Sequence, residues 1–265
     1  MLLKKEIEQL VIHRELLWQM VAREIKARYK QSILGYFWVI LNPFFQILVM
    51  TFVFSTIMRI PTGANPRIPY IIFLYVGLLP WSLFANAVSS SANSLVGNAS
   101  LITKVYFPRS IFPIATLLSK IVDFLFASLI LIFFMLIFRI PINFNLLWFF
   151  PIFLIQQFFT LGLSFFMAAA NLFYRDIQYL LGLVLMLWMY LTPIIYPIDI
   201  IPARFRFVFQ LNPMAVLVNA YRAAILGGEA PNLLNLLIAL IVSLITLFSG
   251  FYLFKKWEGR FADAV

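Results

Sequence analysis

The sequence predicts an all-α integral membrane protein. It would have six transmembrane helices, an N-terminal amphipathic interface helix, and re-entrant outer helices between spans five and six. Three observations predict it. Hydrophobic residues make up 63% of the 265 and charged residues only 11%, against about 45–50% and about 25% in soluble domains. Thirty of the residues are Phe, too much aromatic surface to cover in water. Uncharged stretches recur at about the 20 residues that a helix needs to cross a bilayer.

The elements follow in order. Residues 1–32 carry Leu3, Ile7, Leu10, Trp18, Val21 and Ile25 at helical spacing among charges. Such a helix lies along the membrane surface with Trp18 at headgroup depth. Ile33–Met58 is uncharged for 26 residues and forms span one. Tyr70–Thr103 is also uncharged, but turns to Ser, Asn and Gly from Asn86, so span two ends near 87–94. Span three is Ile111–Phe138, interrupted by Lys120 and Asp123. Spans four, five and six are Leu146–Ala170, Ile177–Ile195 and Asn232–Phe254, leaving 255–265 as a tail.

The basic residues set the orientation. With the N-terminus inside, fourteen of the twenty Lys and Arg fall on the inner side, among them Lys104, Arg109, Arg175 and Lys255. Both termini are therefore expected in the cytoplasm. The net charge of +10 reflects this bias rather than a nucleic-acid partner. No cleavable signal peptide is visible, because the first apolar run begins only after residue 32.

Two connections are not plain loops. Asn86–Pro108 is rich in small polar residues, which suit a water-lined or partner-contacting end of a span as well as an ordinary solvated loop. Tyr196–Pro231 holds apolar pieces too short to cross and too apolar for a free loop. They read as helices dipping back into the membrane, either as a gate or as a packing lid.

The chemistry of a membrane enzyme is missing. None of the ten Gly is followed by Lys, so there is no phosphate-binding Walker loop. No Cys and a single His argue against a metal centre. Lys120 and Asp123 stand three apart on one helical face and are expected to pair, and Arg175-Asp176 falls in the turn between spans four and five. An ion-coupled carrier is poorly supported with so few acids in the membrane. The aromatics of spans one and five, notably Tyr36, Phe37, Phe44, Trp188 and Tyr190, suit sugar stacking inside a channel. They suit a lipid-facing or interfacial place equally.

Several runs together resemble the permease subunits of bacterial polysaccharide ABC exporters, and among these the O-antigen exporter permeases. They are Arg28-Tyr29-Lys30-Gln31-Ser32-Ile33-Leu34-Gly35, Leu79-Pro80-Trp81, Lys104-Val105-Tyr106-Phe107-Pro108-Arg109, Asn171-Leu172-Phe173-Tyr174-Arg175-Asp176-Ile177 and Leu211-Asn212-Pro213-Met214. Capsule, teichoic-acid and small-molecule exporter permeases are similar. The resemblance implies a non-enzymatic transport subunit in the bacterial inner membrane. It would work as a homodimer with two nucleotide-binding subunits that carry the ATP and Mg, with no cofactor in this chain. The cargo it implies is a polysaccharide linked to undecaprenyl pyrophosphate. By position, about 96–104 would be the coupling helix, with Asn98, Leu101, Ile102 and Lys104 facing the ATPase. Residues of about 199–228, including Phe205, Phe209 and Pro213, would form the outer gate. Arg28 and Lys30 would meet the pyrophosphate or lipid headgroups.

Overall fold

The computed structural model describes residues 2–29, 32, 34–61, 68–104, 107–227 and 229–264. Among these it is all helical. The helices are α1 (Leu2–Ile12), α2 (Arg14–Tyr29), α3 (Phe37–Thr51), α4 (Tyr70–Ala92), α5 (Ala99–Lys104), α6 (Ile111–Ile137), α7 (Phe149–Phe173), α8 (Ile177–Tyr190), α9 (Ala203–Gln210), α10 (Pro213–Arg222), α11 (Leu233–Glu258) and α12 (Phe261–Ala264). The wider π-helical turns Phe52–Ile57 and Ala223–Gly227 extend α3 and α10.

Among the described residues, five helices are long and apolar enough to cross a membrane: Phe37–Ile57, Tyr70–Ala92, Ile111–Ile137, Phe144–Phe173 and Leu233–Glu258. The fifth span expected from the sequence is helical only over the 14 residues of α8, about 21 Å at 1.5 Å per residue. It stops before Thr192-Pro193 because proline lacks the N–H to continue the ladder and its ring disfavours helical backbone at the residue before it. The expected single N-terminal helix is two, divided at His13. The segment expected as a tail is largely helical. Helix α11 runs on through Lys255 to Glu258, and the Phe261 ring of α12 packs 5.1 Å from Phe254 and 6.0 Å from Phe173.

Helix α4 is the axis of the bundle, with most of its surface buried against α6, α7, α8 and α10. In a membrane the hydrophobic effect does little between helices, so contact depends on close fit and on polar bonds. Both devices are present. Gln156 of α7 donates to the Pro80 carbonyl of α4 at 2.8 Å and accepts from the Tyr221 hydroxyl of α10 at 2.9 Å. Tyr75 of α4 donates to the Ala127 carbonyl of α6 at 2.8 Å. A second core closes the end that carries both termini, where Met20, Val21, Ile102, Phe112, Phe165 and Phe254 meet. Helices α3 and α8 stand apart from this packing: Ile47 alone is buried in α3, and Leu181 and Leu185 in α8.

Candidate functional site

The first candidate lies where α2 meets the spans. Thr116 and Ser119 of α6 donate to Glu24 of α2 at 2.6 and 2.9 Å. One turn further on, Arg28 forms an ion pair with Asp123 and lies 3.4 Å from the Ser119 hydroxyl. The pairing of Lys120 with Asp123 predicted from their spacing is thus corrected. Asp123 takes Arg28, because α2 delivers a guanidinium fork across α6 that suits a carboxylate better than a lysine on the same helix. A cavity of about 250 Å³ opens beside this pair, lined by Trp38, Asn42, Gln46, Asn86 and Lys120 among others. Arg28, Lys120 and Asp123 are the charged groups in its wall, and Glu24 lies close by at Ser119. Lys30 lies outside the described residues.

The segment expected to couple to an ATPase forms a 3-10 turn, Val96–Asn98, followed by α5. Arg23 of α2 donates to the Asn98 side-chain oxygen, and Asn98 donates to the Ser94 carbonyl at 2.7 Å. Lys104 is exposed and Leu101 partly so. Ile102 is the exception among the residues singled out: only 3% exposed, it is packed into the core beside Phe107 and Phe112. An apolar side chain on a six-residue helix turns toward the bundle, so Ile102 anchors α5 instead of facing a partner.

The aromatics divide in the same way. Tyr36, Phe37 and Tyr190 are about half exposed. Phe44 instead stacks on Phe134 with centroids 6.4 Å apart. Trp188 sits within a cluster of Trp81, Phe84 and Phe159, and its indole donates to Asn212 at 2.9 Å. These contacts hold Trp188 in place, with part of its surface still open. At the far end Phe205 is exposed beneath Arg204, Phe209 is half-buried, and Pro213 is buried in the first turn of α10.

Three polar residues were missed. Asn212 caps α10 by accepting from Met214 N at 3.1 Å while its amide donates toward Leu191 and Thr192. Asn171 joins the ends of α4 and α7 to the start of α8: it donates to the Ala92 carbonyl at 2.9 Å and accepts from Gln178 N at 3.0 Å. Arg222 is buried at the end of α10. Its signal was legible, since it is the only charge between Arg206 and Glu229.

Residues 15–226 match the profile of a family described as "ABC-2 type transporter". The chain belongs to the ABC-2 type transporter family. Relatives of this ABC-2 chain include an O-antigen export system permease protein RfbA of Klebsiella pneumoniae, 34% identical over 251 residues, 94% of each chain. One of the same name from Myxococcus xanthus is 33% identical over 263 residues, 98% of each. The polysialic acid transport protein KpsM of Escherichia coli is 23% identical over 241 residues, 89% of this chain and 91% of its own. Several long apolar helices and this membership make the ABC-2 protein a multi-pass membrane protein, and a non-enzymatic transport subunit is consistent with both.

Proposed function

We propose that this chain is the permease subunit of an exporter that moves lipid-linked O-antigen polysaccharide across the bacterial inner membrane, driven by ATP hydrolysis in a separate subunit. The observation that carries the reading is its similarity to O-antigen export permeases over 94–98% of its length. Two copies would form the channel, with two nucleotide-binding subunits beneath them that hold the ATP and Mg. The poorly covered faces of α3 and α8 suit such a pairing, since each leaves a wall of apolar side chains without a partner in its own chain. The chain would cross six times, with the outer helices α9 and α10 re-entering the membrane as a gate and both termini in the cytoplasm.

Chemically the parts divide the work. Exposed side chains of α5, Lys104 among them, would dock on the ATPase, while Ile102 and the Arg23–Asn98 contact transmit its motion to α2 and the core. The cavity at Arg28 and Lys120 would receive the pyrophosphate of the carrier lipid, and exposed Tyr36, Phe37 and Tyr190 would let sugar rings slide past. Capsular polysaccharide is the second reading, favoured by the relative named for polysialic acid transport.

The test is purification of the tagged chain from native membranes with identification of what accompanies it. A Walker-motif ATPase in equal amount, and loss of surface O-antigen on deletion of this chain, are expected. Absence of both in mild detergent would overturn the reading.

A further inference from the structure

Helix α8 ends at the exposed Tyr190, and the backbone beyond it, residues 191–195, is irregular and enters the apolar body of the protein at Thr192–Ile195. The last carbonyls of a helix have no partner within it, and in lipid no water replaces them. From Tyr190 to Ile195 five of the six carbonyls are met by side chains, and that of Thr192 by the Ile194 N–H at 2.7 Å. Tyr196 donates to the Tyr190 carbonyl at 2.7 Å, Asn212 to Leu191 at 3.3 Å and Tyr70 to Ile195 at 2.7 Å. Arg222 takes two of those in between, its Nη1 and Nη2 lying 2.5 Å from the carbonyls of Pro193 and Ile194. Its Nε donates to the Phe73 carbonyl of α4 at 3.3 Å, and the guanidinium lies 3.7 Å from the Phe73 ring centroid.

A charged side chain more than nine-tenths buried ordinarily has a carboxylate beside it, yet among the described residues Arg222 bonds only to carbonyls and one ring. Those acceptors come from two separate segments, and the donor belongs to a third. The space is also reserved: a Cβ on Gly77 of α4 would fall 2.9 Å from Arg222 Nη2. The guanidinium fork spans adjacent carbonyls and a cross-bundle one at once, a geometry that a single ammonium does not reproduce.

We propose that Arg222 is a positioning residue: it fastens the unwound end of α8 to α10 and α4, so that these segments move as one body and keep the outer side sealed between transport cycles. The sealing role rests on the export reading above, whereas the fastening rests on the bonds alone.

The chain has no cysteine, so one introduced thiol reports local opening without interference. Ile194 is fully buried, and the Ile194→Cys variant, in membrane vesicles with the partner ATPase, is treated with a water-soluble maleimide. Labelling is expected to be slow in this parent and at least about tenfold faster when Arg222→Met is added, the effect expected from losing bonds to a charged donor. Gly77→Ala, which crowds the guanidinium without removing it, should give an intermediate rate. Arg222→Lys should restore only part of the parental protection. A thiol placed at Ile152, equally buried in α7, should stay unlabelled throughout. Unchanged labelling at 194 in both the Arg222→Met and Gly77→Ala variants would overturn the proposal, and so would equal gains at 152. Should Arg222→Met fail to accumulate, Gly77→Ala decides alone. Export by the parent is scored separately: a parent that exports nothing, yet shows the expected labelling pattern, removes the transport reading and leaves the fastening intact.

Discussion

Gly162 and Gly250 let the backbones of α7 and α11 touch. A Cβ on Gly162 would stand 2.5 Å from the carbonyl carbon of Thr246, and one on Gly250 would stand 2.9 Å from the carbonyl carbon of Gly162. The obstacle in each case is main chain, which cannot rotate away as a side chain can.

Gly250→Ala and Gly162→Ala are therefore expected to cost about 1–3 kcal/mol or more, the range for overpacking a close interface. Thermal denaturation of the detergent-solubilised protein measures it. Gly97→Ala, which meets nothing within 4 Å, should leave the melting temperature nearly unchanged. Equal behaviour of all three variants would contradict the close-contact account.

The Arg28–Asp123 pair separates two roles of Arg28. Asp123→Asn should lower export by weakening the anchor of α2. The exchange Arg28→Asp with Asp123→Arg should recover protein level. If Arg28 also binds cargo phosphate, export in the exchanged protein stays below about one-tenth of wild type, since one charge-assisted bond is worth at least that factor. Full recovery of export would reduce Arg28 to a structural pair.

Within α5 the exposed and buried positions should fail differently. Thr103→Asp together with Lys104→Glu is expected to leave membrane insertion intact and to abolish the stimulation of the ATPase by the permease. Ile102→Asp should instead reduce the amount of folded protein, because a carboxylate would enter an apolar core. Normal accumulation of the Ile102 variant would mean that this side chain does not anchor the helix.

Asn171→Asp should be more damaging than Asn171→Ala, although aspartate is closer in shape. The carboxylate would confront the Ala92 carbonyl and the Asn93 side-chain oxygen, where the native amide donates. A loss of about 1–3 kcal/mol beyond the alanine variant is the scale for an unsatisfied buried polar group, read from thermal unfolding at neutral pH.

Most of the helices could be read from hydropathy because lipid demands long uncharged runs, and α4, α6, α7 and α11 begin and end within a few residues of the expected positions. Span five misled because apolar composition continues past Tyr190 while the helix does not; Pro193 gave the local hint, and the bonds from Arg222 and Asn212 that make the break tolerable come from residues twenty and more positions away. The Lys120–Asp123 expectation failed for the same reason. Spacing along one helix says which groups can meet, but not that α2 brings in a better partner from 95 positions earlier. Exposure of Ile102 depended on tertiary neighbours, to which periodicity is blind.

The short α8 has a consequence for the lipid around it. At about 21 Å it falls short of a hydrocarbon layer of about 30 Å, while its longer neighbours can meet a thicker or thinner bilayer by tilting. Tethered through its frayed end by Arg222, Asn212 and Tyr70, α8 has no such latitude. In the proposed six-span arrangement, a change in bilayer thickness would become shear between the tilting helices and the tethered one, concentrated at Pro193 and Ile194. Acyl-chain length would then act on this protein first at α8.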